Sequence, residues 1–105
     1  MIFRLEKRGR GRPRKEVIIR FIPLANFLYP KPLRSKLSIK LYLDEIEALR
    51  LVDLEELSIK DAAEMMGISK TSVWRLVKSG RFKLVKALLE GKVVEVIGKE
   101  FIRKV

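Results

Sequence analysis

The sequence predicts a mainly α domain: a three-helix helix-turn-helix core, a basic N-terminal arm, and a small β element at the C-terminus that an N-terminal strand can join. Three observations predict it. Between residues 43 and 91 apolar side chains recur at helical spacing, punctuated by Ser, Asp and Gly at cap positions. Short β-branched or alternating runs flank that region on both sides. Charge is segregated along the chain, where a merely soluble surface would mix its signs.

A chain of 105 residues with 48% hydrophobic content has room for one domain and a modest core. It divides into a flexible basic arm (1–15), an extended or strand segment packing on the core (16–42), a helix-turn-helix domain (43–91) and a C-terminal β-hairpin (92–105). There is no cysteine and no histidine. Disulfides and the usual zinc sites are excluded, as are a Cys nucleophile and a His base. We expect no enzyme activity, no metal and no cofactor. No apolar run approaches the roughly 20 residues of a membrane span. The basic N-terminus lacks the apolar region of a secretory signal, so a cytoplasmic protein is expected.

Lys and Arg number 24 against 13 Asp and Glu. Residues 1–40 hold 12 basic and 2 acidic side chains, residues 41–67 hold 2 and 8, and residues 68–105 hold 10 and 3. An acidic middle between two basic flanks points to a polyanion-binding face with an acidic back. No basic amphipathic helix with an aromatic face and no lipidation motif is present, so nucleic acid is favoured over membrane.

The elements follow in order. "KRGRGRPRK" (7–15) carries six cations and no apolar side chain, so it reads as part of the arm. "EVIIRFIP" (16–23) is a strand candidate. "LANFLYPKPL" (24–33) is irregular, with Phe27 and Tyr29 expected to pack on the domain. In "LSIKLYL" (37–43) Leu37, Ile39, Leu41 and Leu43 share one face, a strand or an extended lead-in. "LDEIEALRLVDLEEL" (43–57) is helical, with Asp44 as N-cap, Glu47 completing a capping box, and a stripe of Ile46, Leu49 and Val52 joined by Ala48 and Leu51. Ser58 caps "IKDAAEMM" (59–66), whose buried face is Ile59, Ala62, Ala63 and Met66. Gly67 supplies a left-handed turn. Ser69 caps a third helix from Lys70 to about Leu89, stopping at Gly91. Its apolar side is Val73, Leu76, Val77, Gly80, Leu84, Ala87 and Leu88. Gly80 reads either as close packing on an earlier helix or as a kink. "KVVEVIGKEFIRKV" (92–105) reads as a hairpin turning at Gly98-Lys99.

Residues 57–80 together carry a helix-turn-helix signature. Ala62-Ala63 permits a close helix crossing, Gly67 makes the turn, and Val73 and Leu76 pin the third helix. Its free face then offers Lys70, Thr71, Ser72, Trp74, Arg75 and Lys78, short hydroxyls and long cations suited to a major groove. Trp74 either packs on the N-terminal segment or touches sugar or a thymine methyl.

The stretch "LYLDEIEALRLVDLEELSIKDAAEMMGISKTSVWRLVKSGRFKLVKALLEGK", with "GRPRK" before it, closely resembles a family of small uncharacterised prokaryotic proteins described as DNA-binding. The resemblance covers about residues 10–98. More distantly, 43–90 resembles the fourth region of sigma factors, whose helix-turn-helix reads promoter DNA. That resemblance implies DNA contacts at Lys70, Thr71, Ser72, Trp74 and Arg75. Trp74 departs from the pattern, which has a small or polar residue there. "RGRP" (10–13) resembles the core of an AT-hook, which lies in the minor groove of A·T-rich DNA. Arg10, Arg12, Arg14 and Lys15 are then further DNA-binding residues.

The sequence thus leads us to expect a sequence-specific DNA-binding protein, a transcriptional regulator that reads the major groove with helix 70–89. The competing readings are a nucleoid-architectural or RNA-binding protein without base-specific readout, and a module that docks RNA polymerase or another partner through the acidic face 44–64. Double-stranded DNA is the expected partner, with a homodimer through the outer edge of the hairpin and an RNA polymerase contact as further expectations.

Overall fold

Strands form where short runs of branched and aromatic residues stand, and they come from both ends of the chain. The computed structural model describes residues 2–6 and 16–105. In chain order the elements are β1 (Phe3–Leu5), β2 (Val17–Ile19), β3 (Phe27–Leu28), β4 (Ser38–Tyr42), α1 (Leu43–Leu49), a π-helical turn (Arg50–Leu54), α2 (Ile59–Met66), α3 (Lys70–Glu90), β5 (Val93–Ile97), a 3₁₀ turn (Lys99–Phe101) and β6 (Ile102–Lys104). The strands make two three-stranded sheets, ordered β2-β1-β6 and β3-β5-β4. The first is antiparallel throughout. In the second, β4 and β5 are parallel, joined by the whole helical region, and β3 adds an antiparallel edge.

The mainly α expectation is therefore overturned: this is an α/β fold, and a three-helix helix-turn-helix core does not describe it. Two features of the sequence hid the sheets. Phe3–Leu5 is too short to stand out beside the basic stretch, yet it is the central strand of its sheet, so the arm does not start at residue 1. The expected C-terminal hairpin is absent as well. Gly98, at φ 118°, begins a 3₁₀ turn rather than a tight hairpin turn. β5 pairs with β3 and β4 while β6 pairs with β1, in a different sheet. A dimer through the outer edge of such a hairpin loses its basis.

The helical boundaries also differ from expectation at one place. The N-cap of α1 is Tyr42, whose N–H donates to Glu45 Oε1 at 2.9 Å, so Asp44 lies inside the helix. The α-helical hydrogen bonding stops at Leu49 and the π-helical turn follows. Glu56, at φ 58°, then redirects the chain. Helices α2 and α3 stand where the sequence places them. Ser58 Oγ accepts from Asp61 N–H, Ser69 Oγ accepts from Ser72 N–H, and Gly67 is left-handed at φ 68°. Phe27 and Tyr29 stack on each other and are exposed, so they do not pack into the domain as expected.

α3 runs unbroken through Gly80, which excludes a kink. A Cβ at this position would stand 2.7 Å from Leu49 Cδ1 and 3.1 Å from its Cγ, so α1 crosses α3 where the glycine removes the side chain. The core divides along α3. Leu5, Val17 and Ile19 of the β1–β2 hairpin pack with Leu43, Ala48, Leu51, Met66, Val73 and Val77. A smaller cluster of Leu41, Val94 and Ala87 joins the second sheet to the C-terminal half of α3. Among the described residues, no helix is long and apolar enough to cross a membrane.

Candidate nucleic-acid interface

The N-terminal half of α3 is held from behind. Val73 and Val77 are completely buried, four residues apart on one face. Ala62, Ala63 and Met66 of α2 pack in the same cluster, the small pair allowing close approach. At the turn, Ile68 N–H donates to Ala63 O at 3.2 Å, and Gly67 N–H also turns back onto α2. The opposite face is thereby fixed in direction. It carries Lys70, Thr71, Trp74, Arg75 and Lys78, all exposed.

One expected member of this face behaves differently from the rest. Ser72 is partly buried and engaged locally: its N–H donates to Ser69 Oγ at 3.0 Å, and its hydroxyl oxygen accepts from the Ser69 hydroxyl at 2.9 Å. Its role is to close the first turn of α3. Trp74 is 46% exposed, with the Lys78 ammonium 5.9 Å from its ring centroid, so the indole is part of the outer face.

Arg10, Arg12, Arg14 and Lys15 lie outside the described residues. Their flanks are described, and they change how the stretch is read. β1 and β2 pair antiparallel with Leu5 opposite Val17, and Arg4 bridges Glu16 at 3.1 Å. In sequence the basic stretch therefore falls between two strands that pair with each other. That hairpin sits under the α2–α3 turn: a Cβ on Gly67 would stand 3.5 Å from Ile18 Cδ1. β2 thus lies beside the turn that leads into α3.

The acidic middle of the sequence lies only partly on the surface. Asp44, Glu45 and Glu47 are all but fully buried, against the expectation that the carboxylates of 44–64 lie on solvated surfaces. Glu47 accepts from Arg20 N–H at 3.0 Å and takes a two-pronged contact from Arg50 at 3.0 and 2.9 Å, which ties β2 to α1 and raises the Arg50 pKa. Glu45 accepts from the Ser79 hydroxyl and from Lys83 Nζ at 2.8 Å, on either side of Gly80. Sequence reasoning missed these anchors. The available signal was three acids within the first five residues of a helix whose strand lead-in was already apolar. Beyond them, Asp53, Glu55, Glu56, Asp61 and Glu64 are exposed. Among the described residues no cluster of three His, Cys, Asp or Glu side chains is arranged to hold a metal ion.

A family model described as "Protein of unknown function DUF134" matches residues 2–104, from the first strand to the last. The chain belongs to the DUF134 family. Relatives called UPF0251 proteins extend the match across archaea and bacteria. The one from Archaeoglobus fulgidus is 44% identical over 94 residues, 89% of this chain and 90% of its own length. The one from Pyrococcus furiosus is 41% identical over 100 residues, 90% of this chain and 93% of its own. A relative from the bacterium Desulforudis audaxviator is 40% identical over 87% of this chain but only 61% of its own length. No solved structure matches the chain.

Proposed function

We propose that the chain is a sequence-specific DNA-binding protein acting in transcription, with the N-terminal half of α3 in the major groove. The observation that carries this reading is the outward face of Lys70, Thr71, Trp74, Arg75 and Lys78 on a helix whose inner face is fixed by buried Val73 and Val77. Long cations reach guanine edges and phosphates, a hydroxyl serves either, and the indole offers an apolar surface to a thymine methyl. The basic stretch 7–15 supports the reading from the sequence side. Its six charges fall in sequence between β1 and β2, and β2 packs beside the turn that leads into α3, which suits contacts to phosphates or a minor groove flanking the site. The buried acids help, because they leave fewer carboxylates outside to oppose a polyanion.

The test starts from a binding site selected with the purified protein from random duplexes. Arg75→Ala should cost about 1–3 kcal/mol on the selected site and much less on a random duplex. Equal loss on both would make Arg75 a phosphate contact, as in an architectural protein. No loss on either would remove this face from the interface. Replacing the six cations of 7–15 by serine preserves the length between β1 and β2. It should lower the slope of log affinity against log salt by several units, at about 0.9 for each phosphate no longer neutralised.

A further inference from the structure

The C-terminal half of α3 exposes an apolar strip. Phe82, Val85 and Leu89 follow at i, i+3 and i+7 with Leu88 beside them, and they are 65%, 54%, 78% and 81% exposed. A shallow depression of about 410 Å³ runs along this strip between Arg81 and Glu90. Another adjoins it, where Pro30 and Pro32 meet Leu88 and Leu89. Single exposed leucines are ordinary, but a contiguous strip rimmed by charge marks an interface.

We propose that this strip is the interface between two copies of the chain, with α3 packed against α3, antiparallel about a two-fold axis. The argument for a second copy is charge. At about 100° per residue, Lys86 and Glu90 fall on the same flank of the strip. In an antiparallel two-fold pair, like flanks meet. When the two-fold lies at the level of Leu88, Lys86 of each copy comes opposite Glu90 of its partner, and Val85 of each falls within about 3 Å of level with Leu89 of the other, close enough for the apolar side chains to interleave. Within one chain Lys86 bridges Glu90 Oε2 at 3.0 Å while the two side chains remain 41% and 43% exposed, and Glu90 Oε1 holds Lys92 at 2.9 Å, so the Lys86 contact is the one a partner copy can exchange. One patch therefore supplies both the apolar strip and its charge complement, as a two-fold interface requires. The 3-4 spacing of Phe82, Val85 and Leu89 suits shallow helix–helix packing. The pairing leaves residues 70–78 outside it and does not depend on the DNA-binding reading.

Sedimentation equilibrium of the full chain tests it. The expected result is a dimer that Phe82→Glu weakens by about tenfold or more with helical circular dichroism unchanged. Lys86→Glu and Glu90→Lys, each alone, set like charges opposite one another and should weaken the dimer by about fivefold. Mixing those two variants should restore it as a heterodimer, because every flank then meets its opposite charge. A monomer at all concentrations, or a dimer indifferent to Phe82→Glu, overturns the interface. Single variants that show no preference for each other overturn the antiparallel pairing.

Discussion

The two halves of α3 differ in what they rest on and in what they leave outside. From Lys70 to Ser79 the helix is backed by α2 and the β1–β2 hairpin, through Val73 and Val77, and its outer face is cationic with one indole. From Arg81 to Glu90 it rests on the second sheet through Leu84 and Ala87, and its outer face is largely apolar. A helix that meets only water outside carries polar residues there. The first half obeys that rule with an excess of one charge sign, and the second half breaks it. The charge excess of the first half suits the polyanion proposed above, and the apolar face of the second suits the proposed second copy. The division falls at Gly80, where α1 crosses, and Glu45 grips the helix on both sides of it.

The strongest way to break this arrangement is to remove the grip. Glu45 is nearly fully buried, and its carboxylate serves Tyr42 N–H, the Ser79 hydroxyl and Lys83 Nζ. Glu45→Ala leaves those donors without an acceptor and Lys83, whose side chain is 22% exposed, without its counter-ion. Removing one partner of a buried pair costs about 3–5 kcal/mol, and the partial exposure of Lys83 puts the expected loss toward the lower end. Urea denaturation followed by circular dichroism measures it. A loss under about 1 kcal/mol, the size of a surface pair, would mean that the two halves are held by α1 packing alone.

How much of this was legible in the sequence depends on where the deciding contact lies. Local chemistry was readable. Ser58, Gly67, Ser69 and Gly91 act through hydrogen bonds three or four residues away, and α2 and α3 begin and end where those residues put them. Sheet membership was not. Whether Val93–Ile97 pairs with residues five positions on or with Ser38–Tyr42 is decided by the packing of α3, which no window around Gly98 contains. The same limit applies to Phe3–Leu5, whose partners are Val17–Ile19 and Ile102–Lys104. For the candidate site, the outward cations of α3 were legible from period alone. The burial of Glu45 and Glu47 was not, because their partners Ser79, Lys83 and the Arg20 N–H come from other elements.

A smaller effect sharpens the place of the division. Gly80→Val puts branched carbons where Leu49 Cδ1 and Cγ already stand within 3.1 Å of a Cβ. The gain in helix propensity over glycine is below about 1 kcal/mol, and overpacking costs about 1–3 kcal/mol, so the net is destabilising. Leu49→Ala in the same chain should relieve part of that cost, since the clash is with the side chain removed. A double-mutant cycle by thermal or urea unfolding reads the coupling. Strict additivity of the two substitutions would show that α1 does not cross α3 at this glycine.

The smallest expected effect comes from the exposed counterpart of the Glu45 grip. Asp53, in the π-helical turn, accepts from Arg81 Nε at 3.1 Å, and both side chains are more than 40% exposed. This contact also ties the α1 side to α3 just past Gly80, but in water. The hydrogen bond from Arg81, and then its charge, hold the Asp53 carboxyl below the usual carboxylate range. A carboxylate whose pKa is lowered by folding stabilises the fold above its unfolded value. That contribution fades as pH falls through the lower, folded value. Asp53→Asn should therefore be slightly less stable than the parent at neutral pH, and the gap should close in strongly acidic solution. Salt should narrow the gap at neutral pH too, because solvent ions screen an exposed pair. Urea midpoints measured across pH for the two proteins make the comparison. A gap that persists unchanged into acid would assign the effect of Asp53→Asn to the geometry of the π-helical turn instead of to the charge of Asp53. The division at Gly80 would then rest on its buried grip alone.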